Sequence, residues 1–552
     1  MDRPLRAGTD AAPSFSEGGR FPTHYAWLAG IVVAGLLVRL FQIGQEALWA
    51  DETLSLLIKH WPVRDLFLAP VDPSPGLYYF LVKSFVPDGA GVVAVRVLSL
   101  VFGTASIATM YVVGRLAFSP KYGLLGAAML AVSPALVDYS QEGRTYSLLI
   151  LLVLLSATGL LWWTRGLREG RARLPALLLF AGSIVLAFYT HFTSVFWILP
   201  AVVGGREITD RLGDRTAKRS YILAAAAMAL WAVPEVLRIL ARTKFGAFDF
   251  LVNVAPGEFL ATAGDVLLPS ALWNGRTGAL SPISAVTLLL VLLFAAVRLW
   301  QHRARAREWA IANPATPLTL ASLLFLPLFV WVFGYAFTPI FMPRTILLAV
   351  PGFILLLLLL ASLARSPLIA ILYLVACGMS LALHGTVRPK EPWRPVAEQL
   401  RAAMQPGDGI VMCQTWRAPS LLHALGGAPR QPLFVVEESM IMMEPRFNGP
   451  GWERNYHGSY VRAVVEMGLG KRPRGFPQRS AVTPARFWLV ESGCLDEQKR
   501  RVRAWLGTGK ETRLLALPGT RHHEGIQVSL FEGAAAQRPV TVPPADLMPP
   551  AT

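Results

Sequence analysis

The stretch TYSLLILLVLLSATGLLWW, residues 145–163, decides the fold class, because it is almost entirely apolar and contains no charged residue. A membrane-spanning helix needs about 20 mostly apolar residues, since the hydrocarbon core of a bilayer is about 30 Å thick. Ten further segments have the same character: 25–43, 92–117, 123–137, 174–190, 192–204, 221–240, 281–300, 314–336, 345–363 and 367–385. The sequence therefore predicts a mostly α, polytopic membrane bundle of about eleven spans.

The composition excludes several other classes of protein. Of the 552 residues, 54% are hydrophobic and only 16% are charged, whereas a soluble protein has about 25% charged residues. The net charge of +17 would suit a nucleic-acid binder, but the charges are scattered between apolar runs. A chain this apolar, with three cysteines, is neither disordered nor a disulfide scaffold. We expect membrane lipids as partners and no nucleic acid.

The distribution of arginine predicts which side of the membrane each loop occupies. Loops 164–173, 204–220 and 301–309 are rich in arginine, whereas the alternate connections 138–144 and 337–344 carry one arginine each. Short basic loops are retained in the cytoplasm. The resulting organisation is a cytoplasmic tail (1–24), a spanning domain (25–385) with an external loop (44–91), an extracytoplasmic domain (386–533) and a disordered tail (534–552).

The segment after residue 385 has the pattern of a small α/β domain. Short apolar runs predict buried strands, and amphipathic stretches between them predict helices. The strands are Gly409–Cys413, Pro432–Val436, Arg486–Val490 and Ile526–Phe531, and the helices are Trp393–Met404 and Asp496–Leu506. Cys413 and Cys494 lie near strand ends and could pair in an oxidising compartment, but two buried free thiols are the favoured interpretation.

Two adjacent acids, Asp51 and Glu52, follow the first span directly. Acids at this depth are costly to bury. One explanation is a general base, since a carboxylate in a partly dry pocket has a raised pKa and can accept a proton from a hydroxyl. A second is a divalent cation, for which paired oxygens are natural ligands. A third, favoured on spacing alone, is a solvated helix start.

Other polar residues are predicted on the same outer side. Asp72 is expected to face the same side as Asp51, while Tyr78 and Tyr79 fit an interfacial aromatic belt. Glu142 and Arg144 stand at the entrance of a span. They suit either an ion pair among lipid headgroups or an arginine that binds the phosphate of a lipid substrate.

Two further outer residues have both a structural and a functional interpretation. His191 lies in a tight turn between two spans, where a hydrogen-bonding role is favoured over a ligand role. Arg344 could anchor its helix by extending to the interface, or bind an anionic lipid head. Together, acids and isolated arginines on one side of a bundle suit loops that close over a lipid headgroup.

In their order along the chain, these motifs resemble glycosyltransferase family 39. The resemblance rests on Trp49-x-Asp51-Glu52, Asp72-x-Ser74-Pro75-x-Leu77-Tyr78-Tyr79, Arg96-Val97-Leu98-Ser99 and Tyr139-Ser140-Gln141-Glu142-x-Arg144-x-Tyr146. It continues in Tyr189-Thr190-His191-Phe192, Pro339-x-Phe341-x-Pro343-Arg344 and Trp393-Arg394. The family has the GT-C fold and includes protein O-mannosyltransferases and bacterial aminoarabinose transferases.

The resemblance implies a polyprenyl-phosphate sugar donor and transfer on the outer face of the membrane. It implies that Asp51, the first acid of the pair, is catalytic and deprotonates an acceptor hydroxyl, which attacks with inversion. Arg144 and Arg344 are expected to hold the donor phosphate. Glu52 and Asp72 would position substrate or a cation. The remaining residues expected at the substrate are Tyr78, Tyr79, Arg96, Glu142 and His191.

Two departures from the family pattern affect these expectations. The family motif Asp-x-His-Pro-Pro-Leu-Tyr-Tyr has Ser74 in place of its histidine and Gly76 in place of its second proline. Metal dependence is therefore left open, with Asp51 and Glu52 as candidate ligands and no certain cofactor. The usual Asp before Trp-Arg is Pro392 here, which leaves the role of that loop open.

Two rival functions predict different properties. A transporter or flippase of polyprenyl-linked sugars would show internal repeats and ionisable groups at mid-membrane, and a non-catalytic scaffold would function without Asp51. The chain shows no internal repeat, and its acids lie at the outer boundary, which favours the enzyme. The acceptor, a glycan, lipid or protein, is not specified by the sequence. Because the basic residues are 43 arginines and 9 lysines, typical of GC-rich bacteria, we expect a bacterial inner membrane.

Overall fold

The computed structural model describes residues 23–68, 74–243, 253–274, 282–385, 390–413, 417–426, 433–437, 440–443, 486–492, 494, 496–507, 509–517 and 525–533. Asp72 and the tail 534–552 lie outside these residues. The first half of the chain forms helices α1 (Thr23–Leu40), α2 (Ala50–Ile58), α3 (Val63–Leu68), α4 (Leu77–Phe85), α5 (Val92–Ala117), α6 (Pro120–Ala131), α7 (Pro134–Ser140), α8 (Tyr146–Arg168), α9 (Leu174–Phe188), α10 (Val195–Leu212) and α11 (Arg215–Thr243).

The second half contributes further helices and a single sheet. The helices are α12 (Pro256–Leu267), α13 (Ala271–Asn274), α14 (Pro282–Gln301), α15 (Arg303–Ala312), α16 (Ala315–Leu324), α17 (Leu326–Ala336), α18 (Ala349–Ala364), α19 (Leu368–His384), α20 (Trp393–Ala403), α21 (Ala418–Ala424) and α22 (Asp496–Leu506). The strands are β1 (Gly409–Met412), β2 (Leu433–Glu437), β3 (Met440–Met443), β4 (Arg486–Ser492), β5 (Lys510–Leu517) and β6 (Ile526–Glu532).

Each predicted span corresponds to a helix or to a bent pair of helices. Among the described residues, α1, α5, α8, α11 and α14 are long and apolar enough to cross a membrane, and the bent pairs α6–α7 and α16–α17 raise the number to seven. Helices α9, α18 and α19 are apolar but shorter. Helix α10 carries four charged residues near its end. The mostly α, polytopic architecture expected from hydropathy is confirmed.

A buried arginine supports the bend between α6 and α7. Pro134 begins α7 and cannot donate a backbone hydrogen bond, so the chain turns by 62°. The fully buried Arg39 donates to the carbonyls of Ala131 at 2.8 Å and Leu130 at 3.3 Å, and to Ser140 Oγ at 3.1 Å. Since no water reaches a bilayer core, carbonyls freed by a bend need such a partner.

The C-terminal segment forms a six-stranded sheet in the order β3-β2-β1-β4-β6-β5. Strand β1 is parallel to β2 and β4, whereas β3, β5 and β6 pair antiparallel with their neighbours. Helix α22 packs on one face through Val502 and Leu506. The other face packs on α20 and α21. The four predicted strands and two predicted helices are present; β3, β5 and α21 are additional.

The segment that follows α1 contributes to the core of this sheet domain. Ala47 and Leu57 are buried in the same apolar cluster as Trp393, Leu400 and Trp488. Helix α2 thus lies between the bundle and the sheet domain. Any residue at its N-terminus is within reach of both.

The favoured interpretation of two free thiols is wrong. Cys413 and Cys494 form a disulfide with a Cα–Cα distance of 5.6 Å. Cys413 follows β1 and Cys494 follows β4, and these two strands are parallel neighbours. Because both strands end at the same edge of the sheet, the two side chains meet there. The sequence alone did not indicate that these two strands are neighbours.

Candidate active site

Helix α2 presents its first turn to the space between the bundle and the sheet domain. Trp49 precedes the helix in an extended conformation, and the Glu52 Oε2 accepts the Trp49 backbone N–H at 3.3 Å. The Glu52 backbone N–H donates to the Trp49 carbonyl at 3.0 Å, and these two hydrogen bonds fix where the helix begins. Asp51 and Glu52 are therefore first-turn residues, but this is not the solvated helix start that the spacing favours, because Glu52 is fully buried.

Glu52 points inward and is fully buried. Arg96 on α5 donates from Nε to Oε1 and from Nη2 to Oε2 of Glu52, each at 2.7 Å. The backbone N–H of Gly143 also donates to Oε1, at 2.9 Å. Burial raises the pKa of this carboxyl, but the Arg96 charge and these hydrogen bonds outweigh it and hold the pKa below its ordinary value. The carboxylate is thus ionised and saturated with donors.

Arg96 also organises the chain that leads into α2. Its remaining N–H groups donate to the carbonyls of Ile43 at 2.7 Å, Glu46 at 3.3 Å and Ala47 at 3.4 Å. The guanidinium is buried, and each of its three nitrogens donates to an acceptor within the protein. It joins α5 to the segment between α1 and α2, and its hydrogen-bond acceptors are all protein groups.

Asp51 points differently from its neighbour, because successive side chains diverge by about 100° around a helix. Its side chain is 20% exposed, and Oδ2 lies 3.4 Å from Nη1 of Arg344. The nearby carboxylates are far less exposed, with side-chain values of 0% for Glu52, 1% for Glu142 and 2% for Glu391. Asp51 is therefore the carboxylate of this group that a substrate can reach.

Arg144 lies directly behind Asp51. Its Nη1 donates to the backbone carbonyl of Asp51 at 3.1 Å, to Tyr79 Oη at 2.9 Å and to Ser55 Oγ at 3.4 Å. The guanidinium carbon lies 5.8 Å from the centre of the Tyr79 ring. Arg344 and Arg144 thus contact the side chain and the backbone of the same acid.

Tyr78 and Tyr79 do not form an interfacial belt. Both are buried, with Tyr79 on Arg144 and the Tyr78 hydroxyl 2.9 Å from Ser99 Oγ. Burial raises the pKa of Tyr78 well above its ordinary value. The pair belongs to the packing beneath the site.

Glu142 pairs with Lys390 rather than with its sequence neighbour Arg144. The Lys390 ammonium forms a short ion pair with the Glu142 carboxylate, 5.2 Å from the Trp49 ring and 5.6 Å from the Tyr139 ring. Burial raises the pKa of Glu142 to about 7, although Lys390 acts in the opposite direction. The ion pair between Glu142 and Arg144, one of the two interpretations of these residues, is not formed.

Glu391, like its neighbour Lys390, is a site residue that the sequence did not indicate. Its Oε2 accepts the Ala50 backbone N–H at 3.1 Å and the Trp393 Nε1–H at 2.7 Å, and its Oε1 lies 3.7 Å from Arg417 Nε. Burial raises its pKa above the ordinary value. The available signal was an acid next to the Trp393-Arg394 motif, one position before Pro392.

His191 has the hydrogen-bonding role that its position favours. Its Nδ1 lies 2.8 Å from Thr193 Oγ1 and accepts the Thr193 backbone N–H at 3.3 Å. The buried ring lies 5.6 Å from that of Tyr146, which begins α8. His191 thus packs against Tyr146 at the start of α8.

The acids fit a protein-bound cation poorly. Both oxygens of Glu52 face Arg96, so Asp51 alone of the pair offers an oxygen to a ligand. In the part of the chain that the structure describes, no three His, Cys, Asp or Glu side chains are grouped to hold a metal ion. Asp72 is outside that part.

Comparison with known proteins identifies the fold. Residues 72–237 match a family described as dolichyl-phosphate-mannose-protein mannosyltransferase. The crystal structure of ArnT from Cupriavidus metallidurans in the apo state aligns over 92% of this chain and 98% of that one, with a TM-score of 0.52 and 13% identity. The chain has the GT-C glycosyltransferase fold. No curated protein matches the sequence.

Two other GT-C structures are similar over much of the chain. ArnT from Cupriavidus metallidurans bound to undecaprenyl phosphate covers 91% of this chain and 98% of its own, at 13% identity and a TM-score of 0.42. The Archaeoglobus fulgidus oligosaccharyltransferase in the apo form covers 73% and 64%, at 12% identity and a TM-score of 0.45. The fold assignment rests on the first ArnT structure and the family match.

The GT-C assignment confirms the family resemblance expected from the motifs and a multi-pass membrane protein. Within it, the structure brings together residues from several separate parts of the sequence. Those predicted and found together are Asp51, Glu52, Tyr78, Tyr79, Arg96, Glu142, Arg144 and Arg344, with His191 at the edge through Tyr146.

Proposed function

We propose that this GT-C protein transfers a sugar from a polyprenyl-phosphate donor to an acceptor hydroxyl on the outer face of a bacterial inner membrane. Asp51 is the general base. The observation that carries the proposal is the single reachable carboxylate at the start of α2, 3.4 Å from a guanidinium. The family whose description includes a dolichyl-phosphate sugar supports the donor class.

The reaction is a direct displacement with inversion. Asp51 takes the proton of the acceptor hydroxyl, the hydroxyl oxygen forms a bond to the anomeric carbon, and the bond from that carbon to the phosphate oxygen breaks. The electron pair leaves with polyprenyl phosphate, which is a stable anion. No separate general acid is needed, and the chain supplies proton acceptance and charge stabilisation.

Arg344 and Arg144 are proposed to bind the donor phosphate. A guanidinium presents its N–H groups as a fork that matches phosphate oxygens. Arg344 contacts the Asp51 carboxylate directly, so a phosphate at Arg344 lies beside the base. Glu52 is assigned a positioning role, because its oxygens are occupied by Arg96 and Gly143.

The proposed orientation places the site outside and the basic loops in the cytoplasm. Helix α8 begins at the site with Tyr146 and is 23 residues long, so it ends at Arg168, about 35 Å away. Retention of basic loops inside the cell then puts the other end outside. The Cys413–Cys494 disulfide also supports an oxidising compartment for the sheet domain.

The test is an assay of the purified protein with radiolabelled polyprenyl-phosphate sugars and a panel of hydroxyl acceptors. Wild type is compared with Asp51→Asn and with Asp65→Asn, a control acid on α3. We expect Asp51→Asn to lower kcat by about 10²- to 10⁴-fold and Asp65→Asn to leave it unchanged. Undiminished transfer by Asp51→Asn sinks the assignment. Lipid movement in liposomes without any transfer indicates a flippase instead.

A further inference from the structure

The sheet domain contacts the start of α2, directly before the proposed base, through two consecutive residues, Lys390 and Glu391. We infer that Glu391 is a positioning residue that fixes Asp51 from the sheet domain, so that this domain is an integral part of the active site. The inference rests on the proposed function of Asp51. It assigns a role to a residue that lies 340 positions further along the chain.

Glu391 binds the backbone of α2 at Ala50. The first N–H groups of a helix have no partner within the helix. In α2, the Trp49 N–H is bound by Glu52 and the Ala50 N–H is bound by Glu391 at 3.1 Å. A carboxylate at a helix N-terminus also interacts favourably with the helix dipole. The residue before Asp51 is thus tied to the sheet domain.

Glu391 is itself held firmly. The Trp393 Nε1–H donates to the same oxygen at 2.7 Å, and Arg417 Nε lies 3.7 Å from the other. Arg417 in turn donates from Nη1 to Ser492 Oγ on β4 at 2.6 Å. A continuous series of contacts therefore runs from the central sheet to the backbone of α2.

Lys390 adds a second contact one residue earlier. Its ammonium lies 5.2 Å from the Trp49 ring and pairs with Glu142. Arg144 holds the Asp51 carbonyl at 3.1 Å. Positions 49, 50 and 51 are thus each contacted from outside α2.

The expected effect is on the rate of the chemical step. Displacing a reacting group by about 1 Å costs about 10²-fold in rate, and loss of the Ala50 contact frees the start of α2 to move. Arg344, the proposed donor-binding residue that touches the Asp51 side chain, comes from the bundle. Donor binding should therefore survive when Glu391 is replaced.

Glu391→Ala, Glu391→Gln and a control, Glu398→Ala, separate positioning from folding. Glu398 is exposed on α20. We expect Glu391→Ala to lower kcat about 10- to 100-fold with donor KM changed by less than about threefold. Glu391→Gln should recover most of the rate, because its amide oxygen can accept the Ala50 N–H. Glu398→Ala should match wild type.

The outcomes distinguish this inference from the proposed function. An unchanged kcat in Glu391→Ala overturns the inference, while Asp51→Asn in the same assay tests the base independently. Should Glu391→Ala fail to fold, Glu391→Asp decides, because its shorter side chain withdraws the accepting oxygen from the Ala50 N–H while keeping the charge. In that variant, a lower rate with an unchanged thermal unfolding midpoint supports positioning through the accepted hydrogen bond, and a full rate overturns the inference. A loss of rate that parallels a loss of the midpoint shows a structural role only and also overturns the inference.

Discussion

Arg96 and Glu52 form a two-pronged ion pair beneath the site, with both nitrogen–oxygen distances at 2.7 Å and both side chains buried. The pair joins a membrane-spanning helix to the helix that carries the proposed base. Its partners are all within the protein, since Gly143 and Trp49 occupy the other positions on the carboxylate. The ion pair holds the first turn of α2 against α5 and so fixes the position of that turn.

Replacing Glu52 by alanine should destabilise the protein by about 3–5 kcal/mol, because Arg96 is left as an uncompensated buried charge. The measurement is the free energy of unfolding in detergent. The matched control is Glu46→Ala, since Glu46 is partly exposed and the loss there should be within about 0.5 kcal/mol. Equal stabilities of the two variants would contradict the central role of the pair.

Stability should depend on pH through Glu142. Its pKa rises from 4.5 to about 7 on burial, so the folded state takes up a proton between these values. A group that binds its proton more tightly when folded contributes less stability as pH rises through that window. Above it, the contribution is constant.

Glu142→Gln removes this titration. We expect the wild-type thermal midpoint, relative to that of Glu142→Gln, to decrease from about pH 5 to about pH 7 and then to level off. The control is Glu169→Gln, an exposed acid in a basic loop. A difference that stays constant over the whole range would show that the Glu142 pKa is not raised.

Arg344→Ala should weaken use of the donor. Loss of a charged hydrogen bond costs about 1.5–3 kcal/mol, which corresponds to a fall in kcat/KM of about 10- to 100-fold. Arg344→Lys should recover only part, because an ammonium lacks the fork. Arg307→Ala, an exposed arginine on α15, is the control. A donor KM equal to that of wild type in Arg344→Ala would remove Arg344 from the phosphate site.

The disulfide should stabilise the sheet domain by about 2–4 kcal/mol, since it closes a loop of 81 residues. The variant Cys413→Ser with Cys494→Ser should unfold at lower denaturant and show no further change with dithiothreitol. Cys377→Ser is the control, because Cys377 is a free cysteine in α19. Wild type and Cys377→Ser should both lose stability on reduction. An unfolding curve of wild type that is unaffected by reductant would contradict this.

Local pattern predicted the helices and most of the sheet, because hydropathy and alternation are properties of adjacent residues. Helices α5 and α8 end within a few residues of the predicted spans. Strand β5 was missed because it is largely exposed and carries lysine, glutamate and arginine. The pairing of Cys413 with Cys494 depends on which strands are neighbours, which is a property of the whole sheet.

The sequence predicted some residues of the site but not others, because contacts between distant parts of the chain are not visible in local pattern. Asp51 and Glu52 are adjacent acids that the sequence alone does not distinguish. In the helix, Asp51 contacts Arg344 and Glu52 contacts Arg96. Lys390 and Glu391 follow the last span and have no motif of their own. Their role exists only because the sheet domain folds back on α2.

The position of Lys390 and Glu391 along the chain also sets the order of assembly. The proposed base lies in α2, whereas the contacts to Trp49 and Ala50 come from residues that follow all the spanning helices that the structure describes. A nascent or truncated chain therefore carries Asp51 without these supports. The contacts that support the proposed base therefore form only after the spanning helices that the structure describes have been synthesised.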